Sequence, residues 1–260
     1  MAEKRLDGKY YIVTGGSRGV GKKIAEFIAA EGAAGIMICG RDEAKGKQAA
    51  ADLSSALCRC VFVQADLQNA ADCQKLIAAC DQEFGKLHGL VNAVSLFTRG
   101  GIENASVELW DLLFDVNVRA PFILSQDAIK IMKREGIKGS IVNIISKSAH
   151  GGQPFLTVYS ASKGALATLT KNIACSMLAE HIRVNGINLG WMYTDGEDKI
   201  QKAEGKPDNW LELAEKEQPF GRLIYPEDVA KLVNYLLSDD AEMMTGSLID
   251  FDQNVIGGMD

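Results

Sequence analysis

The residues Thr14-Gly15-Gly16-Ser17-Arg18-Gly19-Val20-Gly21 decide how this chain is read. They close a short apolar run, Tyr10–Thr14, and lead at once into Val20, Ile24, Phe27 and Ile28, the i, i+4, i+7, i+8 stripe of an amphipathic helix. A strand that ends in a glycine turn and opens a helix makes an anion site. Backbone N–H groups at the helix start point outward, and glycine lets a pyrophosphate come close. The spacing Gly15-x-x-x-Gly19-x-Gly21 differs from the commoner G-x-G-x-x-G, and no Gly-Lys-Ser/Thr follows, which excludes a P-loop. Taken alone, the turn also suits a tight bend with no ligand.

Working outward, further apolar runs recur at residues 35–39, 60–64, 89–94, 140–145, 183–188 and 247–251. Several are apolar almost throughout, which suits a parallel sheet covered on both faces. Helical stripes lie between them, among them Leu76, Ile77, Cys80 and Phe84, and a long helix over about 156–179. Pro226-Glu227-Asp228 reads as the first turn of another helix. The alternation predicts a single doubly wound, Rossmann-like α/β domain over residues 1–260, with about seven parallel strands and helices on both faces. The polar, proline-bearing stretch from about 191 to 220 reads as a substrate lid with room for a short helix near 209–216.

Composition narrows the function classes. The 260 residues are 47% hydrophobic and 24% charged, enough to bury a core. Glycine is over-represented at 26 residues against 5 prolines, which points to tight turns and close backbone approaches. The net charge of −6 and the lack of a basic cluster argue against a nucleic-acid partner. No apolar run reaches the ~20 residues of a membrane span, and Met1–Lys9 does not read as a signal peptide. Cys39, Cys58, Cys60, Cys73, Cys80 and Cys175 show no zinc-ligand spacing and read as free thiols. The expected compartment is the cytoplasm, and no metal is expected.

The end of the second strand speaks to the cofactor. An acidic residue for an adenine-ribose 2′-hydroxyl belongs about 20 residues beyond the turn. That place holds Gly40, followed by Arg41, and Arg18 stands inside the turn itself. Arginines there suit a 2′-phosphate, so NADP(H) is the expected cofactor. Asp42, one residue late, is the contrary candidate and keeps NAD(H) as the alternative.

On the long helix, Tyr159-Ser160-Ala161-Ser162-Lys163 puts Tyr159 and Lys163 on one face. Ser146 follows the apolar strand ending at Ile145, so it belongs at the carboxyl edge of the sheet with the glycine turn. Alone, the tyrosine and lysine are no more than an amphipathic-helix pair. Joined to the turn, Asp66-Leu67, Asn117, Ser146 and Arg183-Val184-Asn185, they resemble the short-chain dehydrogenase/reductase family over nearly the whole chain. The length matches the single-domain branch, and the three-residue gap between Tyr159 and Lys163 argues against the enoyl-reductase branch.

The resemblance implies an NAD(P)-dependent oxidoreductase acting on a small ketone or secondary alcohol. Tyr159 is then the general acid or base, Ser146 hydrogen-bonds the reacting oxygen, and Lys163 holds the nicotinamide ribose and lowers the tyrosine pKa. One ammonium at ~4 Å supplies ~4 kcal/mol at an effective dielectric of ~20, the order needed to bring a tyrosine from ~10 to ~7. Asn117 is expected to hold a water leading from Lys163 to solvent. Asp66 contacts the adenine amino group, and Thr194 anchors the nicotinamide carboxamide. Gly15, Ser17, Arg18, Gly19, Val20, Arg41, Leu67, Asn92, Gly190 and Met192 complete the cofactor set. A homotetramer or homodimer is also implied.

Three departures from the family pattern are visible: Asn92-Ala93-Val94-Ser95 for Asn-Asn-Ala-Gly, Leu189-Gly190 for Pro-Gly, and Asp252-Gln253-Asn254 near the C-terminus. Val94 and Ser95 narrow the cofactor wall. Ser148, His150, Gln153 and Trp191 are expected to face substrate, with Trp191 and Trp210 placed to close over a ring. The hydrogen-bonding side chains among them favour a sugar or polyol. A non-catalytic NAD(P)-binding regulator is the alternative, against which the intact Asn117, Ser146, Tyr159 and Lys163 set argues.

Overall fold

The structure, a computed structural model, describes residues 4–255. Seven strands form one parallel sheet: β1 (Tyr10–Thr14), β2 (Gly35–Gly40), β3 (Arg59–Gln64), β4 (Gly89–Asn92), β5 (Ser140–Ile144), β6 (Arg183–Leu189) and β7 (Leu248–Phe251). Their order is β3-β2-β1-β4-β5-β6-β7, with Val13 opposite both Ile38 and Val91. The chain moves outward from β1 to β3, then returns to β4 on the other side of β1. This reversal splits the crossovers and opens a crevice at the carboxyl ends of β1 and β4.

Burial of both sheet faces explains the continuous apolar runs. One face packs on α1 (Gly19–Ala30), α2 (Glu43–Leu53) and α9 (Pro226–Leu237), through Ile24, Ile28, Leu53 and Val233. The opposite face packs on α3 (Ala70–Phe84), α5 (Ala120–Arg134) and α6 (Thr157–Ser176), through Leu76, Leu124 and Ala174. α4 (Val107–Phe114) leans on α6 through a small cluster around Leu113, Val158 and Tyr159. Cys39, Cys58, Cys60, Cys73 and Cys80 are buried and unpaired, while Cys175 is exposed.

The structure departs from the sequence expectation in three places. β4 stops at Asn92 because the Thr14 hydroxyl accepts the N–H groups of Ala93 (2.8 Å) and Val94 (3.1 Å), turning the chain out of the sheet. Residues 191–220 hold two helices rather than one, α7 (Asp195–Ala203) and α8 (Trp210–Lys216). Thr194 caps α7 by accepting from Glu197 N–H at 3.0 Å, and Asp195, Glu197 and Asp198 sit in its first turn, where the helix dipole favours them. Asp115–Arg119 form a π turn joining α4 to α5, which no period in the sequence announces.

Candidate active site

The glycine turn is built for close approach. Gly19 has a φ of +56° and a side-chain direction that meets no atom within 4 Å, so it faces open space. A Cβ on Gly21 would sit 2.5 Å from the Gly15 carbonyl oxygen, so the first turn of α1 folds tightly back on the end of β1. The N-cap Arg18 makes no side-chain cap bond, and no acidic residue occupies the first turn of α1. The helix N–H groups therefore keep their capacity for an anion, and the cradle fits the diphosphate of a dinucleotide. Val94 packs over the turn, its Cγ2 lying 3.0 Å from the Cβ position of Gly15.

Beside the turn, Arg41, Gln64, Ala65, Asp66, Asp72 and Lys75 line a cavity of about 310 Å³. A Cβ at Gly40 would meet the Ser17 hydroxyl at 2.9 Å, so an acidic side chain there would crowd the turn. Asp42 is engaged elsewhere: it caps α2 by accepting from Lys45 N–H at 3.0 Å, and its other oxygen pairs with the Lys45 ammonium at 3.1 Å. These contacts hold the Asp42 carboxyl below its ordinary pKa. Among the described residues neither Arg18 nor Arg41 enters an ion pair. Asp66 accepts from Gln68 N–H at 3.1 Å and donates its own N–H to Asp72 at 2.8 Å, which fixes the turn carrying buried Leu67.

At the centre of the crevice, α6 carries Tyr159 and Lys163 one turn apart, and both are buried. Ser146 ends the strand-to-helix turn after β5. Its hydroxyl accepts from Ser148 N–H at 3.1 Å and donates to the Ser148 hydroxyl at 3.1 Å, which donates in turn to Gln153 Oε1. Burial pushes the Tyr159 phenol above its ordinary pKa, while the neighbouring Ser146 and Ser95 hydroxyls pull it down. Lys163 donates to the Ile144 carbonyl oxygen at 2.9 Å, and its Nζ lies 5.8 Å from the centroid of the Tyr159 ring. Burial lowers its pKa to about 7. The lysine is thus poised between its charged and neutral forms near neutrality. In the chain by itself, hydroxyls rather than the ammonium offset the burial of the tyrosine.

Asn117 sits in the π turn, fully buried. Its side chain donates to the Leu96 carbonyl (2.8 Å) and the Ser162 hydroxyl (3.0 Å), and accepts from Leu96 N–H (2.9 Å). Both amide hydrogens are therefore committed, and the side chain pins the loop after β4 to α6. Ser162, which sequence reasoning passed over, lies three residues after Tyr159 on the same helix. That spacing within the Tyr159–Lys163 stretch was its only signal.

The remaining expected residues divide into groups. Asn92 turns its amide to Asn143 (2.8 Å), which donates to Thr170 (2.8 Å), a buried polar ladder across the sheet face. His150 contacts Asp250 (2.8 Å) and Asn188 (3.2 Å) at the β6–β7 edge, beside but separate from the Ser146–Gln153 chain. Trp191 stacks 6.2 Å from Trp210 and donates its indole N–H to Glu197 at 2.9 Å, which packs it within the 191–220 segment. Met192 bridges to Ile224, and Thr194, as N-cap, still has its hydroxyl proton to donate. Gly190 has the buried Asp252 carboxylate against it, held by Lys147 at 2.8 Å.

The chain was compared with known proteins. A family model described as enoyl-(acyl carrier protein) reductase matches residues 15–255. A 3-beta-hydroxysteroid dehydrogenase of Comamonas testosteroni is 34% identical over 97% of this chain and 98% of its own. An NADP-dependent (R)-specific alcohol dehydrogenase of Lentilactobacillus kefiri is 32% identical over 94% of each chain. A galactitol 2-dehydrogenase of Agrobacterium fabrum is 29% identical over 95% of this chain and 97% of its own.

Proposed function

The chain belongs to the short-chain dehydrogenase/reductase family of oxidoreductases, and we propose that it interconverts a ketone and a secondary alcohol with NADP(H). The observation that carries this reading is the convergence of Ser146, Tyr159 and Lys163 at the crevice edge beside the glycine turn. The nicotinamide ring, when bound, supplies or accepts the hydride. Gly15, Ser17, Gly19 and Val20 would hold the diphosphate of the dinucleotide through backbone groups, and Thr194 would offer a hydroxyl to the carboxamide.

Tyr159 moves the proton. In reduction its phenolic hydrogen passes to the carbonyl oxygen; in oxidation the phenolate takes it back. Ser146 turns its hydroxyl proton from Ser148 to that oxygen and fixes its position. Lys163, when protonated, opposes the burial that raises the phenol. A Tyr159→Phe variant loses turnover and retains NADP(H) affinity, read by calorimetry; retained turnover overturns the mechanism.

NADP(H) over NAD(H) is supported by the guanidinium groups of Arg18 and Arg41, which enter no ion pair among the described residues, and by the engagement of Asp42 with Lys45. A lower KM for NAD(H) than for NADP(H) overturns that preference. For the substrate, the Ser148–Gln153 chain beside Ser146 favours a hydroxylated molecule, a sugar or polyol, and one relative is a galactitol dehydrogenase. A panel of propan-2-ol, galactitol and a 3β-hydroxysteroid tests this, and turnover of the steroid alone defeats it. Residues 191–220 act as the lid over that substrate, within a single domain. The unpaired thiols suit the reducing cytoplasm.

A further inference from the structure

Ser95 takes the last place of the Asn92-Ala93-Val94-Ser95 stretch after β4. Its Oγ is buried and has no hydrogen-bond partner. It is nevertheless held in place. The next residue, Leu96, packs on Tyr159 and Val158, and both backbone groups of Leu96 are bonded to the Asn117 side chain, at 2.9 and 2.8 Å. Ser95 and Ser146 are the two hydroxyls beside the Tyr159 oxygen, although no bond of ordinary length and angle closes between Ser95 and the phenol.

The direction of the hydrogens separates the two serines. Gln153 Oε1 only accepts, so the Ser148 proton goes to it, and the Ser146 proton must then go to Ser148. The Ser146 proton is thus directed to Ser148 in the chain by itself. A phenolate needs donors, and in the mechanism above the Ser146 proton turns to the substrate oxygen. The uncommitted donor beside Tyr159 is Ser95.

We propose that Ser95 is a positioning residue for proton transfer, its hydroxyl donating to the Tyr159 oxygen as that oxygen becomes negative. The step balances: the phenolic O–H breaks, its proton forms the new O–H on the substrate carbonyl, and Ser95 keeps its own proton. A bond to a charged acceptor is shorter and stronger than one to a neutral oxygen, so the contact tightens as the charge develops. Lys163 is the charged group over the Tyr159 ring, and the cluster in which the tyrosine is buried is apolar, with Leu96, Leu113, Leu156 and Val158. The inference rests on Tyr159 as the acid and base.

The test compares Ser95→Ala, Ser95→Gly and Tyr159→Phe with the wild type. It measures the best alcohol of the panel with NADP+, the matching ketone with NADPH, NADP+ affinity by calorimetry, and thermal melting. Losing one donor raises the apparent pKa of Tyr159 by about 0.5–1 pH unit. Oxidation below its acid limb therefore slows about 3–10-fold. Reduction, in which the same negative charge develops on the phenol, slows by about 2–10-fold, NADP+ affinity stays within about twofold, and Ser95→Ala melts no lower than wild type, since it removes an unpartnered hydroxyl. An unmoved acid limb, unchanged reduction, weakened NADP+ binding or a clear drop in melting temperature would each overturn the role of Ser95. Retained turnover in Tyr159→Phe would instead overturn the mechanism beneath it.

Discussion

Replacing Lys163 by Met removes the one lysine buried with a strongly lowered pKa, and the consequence for stability can be worked out. Burial takes this ammonium from 10.5 to about 7. Between those values the unfolded chain binds a proton that the folded chain does not, so stability rises with pH across that window. Below pH 7 the full penalty is in force. The fall from 10.5 to about 7 corresponds to about 5 kcal/mol, partly offset by the bond to Ile144. From pH 6 to pH 9 the recovered part is about 2.5 kcal/mol. Equilibrium urea unfolding of wild type and Lys163→Met at both pH values measures it. Lys163→Met should be the more stable protein at pH 6, by several kcal/mol, with an advantage that shrinks by about 2.5 kcal/mol at pH 9. The variant should also lose turnover. Parallel pH dependence in the two proteins would refute the burial argument, whatever the activity shows. A confirmed difference would mark Lys163 as a group kept at the expense of stability for its place beside Tyr159.

Three further outcomes are expected. Arg41→Ala should raise the KM for NADP(H) about 10–100-fold, the worth of one or two charge-assisted bonds to phosphate, and leave that for NAD(H) unchanged; steady-state kinetics with both cofactors reads it. Asn117→Ala should cost about 2–4 kcal/mol and lower the melting temperature by several degrees, because three hydrogen bonds, one buried and two partly buried, are broken at once and the backbone groups of Leu96 lose their partner. Gly21→Ala places a methyl group 2.5 Å from the Gly15 carbonyl, so the turn must shift; NADP(H) affinity by calorimetry should fall at least tenfold with the far-ultraviolet circular dichroism unchanged.

The sheet was legible because its strands are buried on both faces, so each announces itself as an apolar run and the glycine turn marks the first. The Tyr159–Lys163 pair was legible because helical spacing alone puts the two on one face. What lay hidden depends on contacts between distant segments. The bond from Thr14 that ends β4 joins residues 14 and 93. The π turn at Asp115–Arg119 exists where Asn117 reaches Leu96 and Ser162, and no local period encodes it. The α7 cap at Thr194 was readable as a Thr-x-x-Glu pattern, but the surrounding polarity drew it into a loop reading. Trp191 shows a different limit. Its stacking with Trp210 needs α8 folded back against the end of β6, and an aromatic side chain by itself suits packing as well as a ligand. The Lys163 pKa follows from complete burial, which no sequence spacing reports.

The buried thiols have a practical consequence. Burial raises Cys39, Cys60 and Cys80 to about 12 and Cys73 to about 11, and lifts Cys58 as well, so these side chains stay protonated and shielded from electrophiles at neutral pH. Cys175 alone is exposed, and it lies near the end of the helix that carries Tyr159 and Lys163. A maleimide dye added to the unmodified protein would therefore attach at one address on the catalytic helix. The molecule comes with its own labelling handle, and fluorescence from that handle can follow events along α6 without altering a residue.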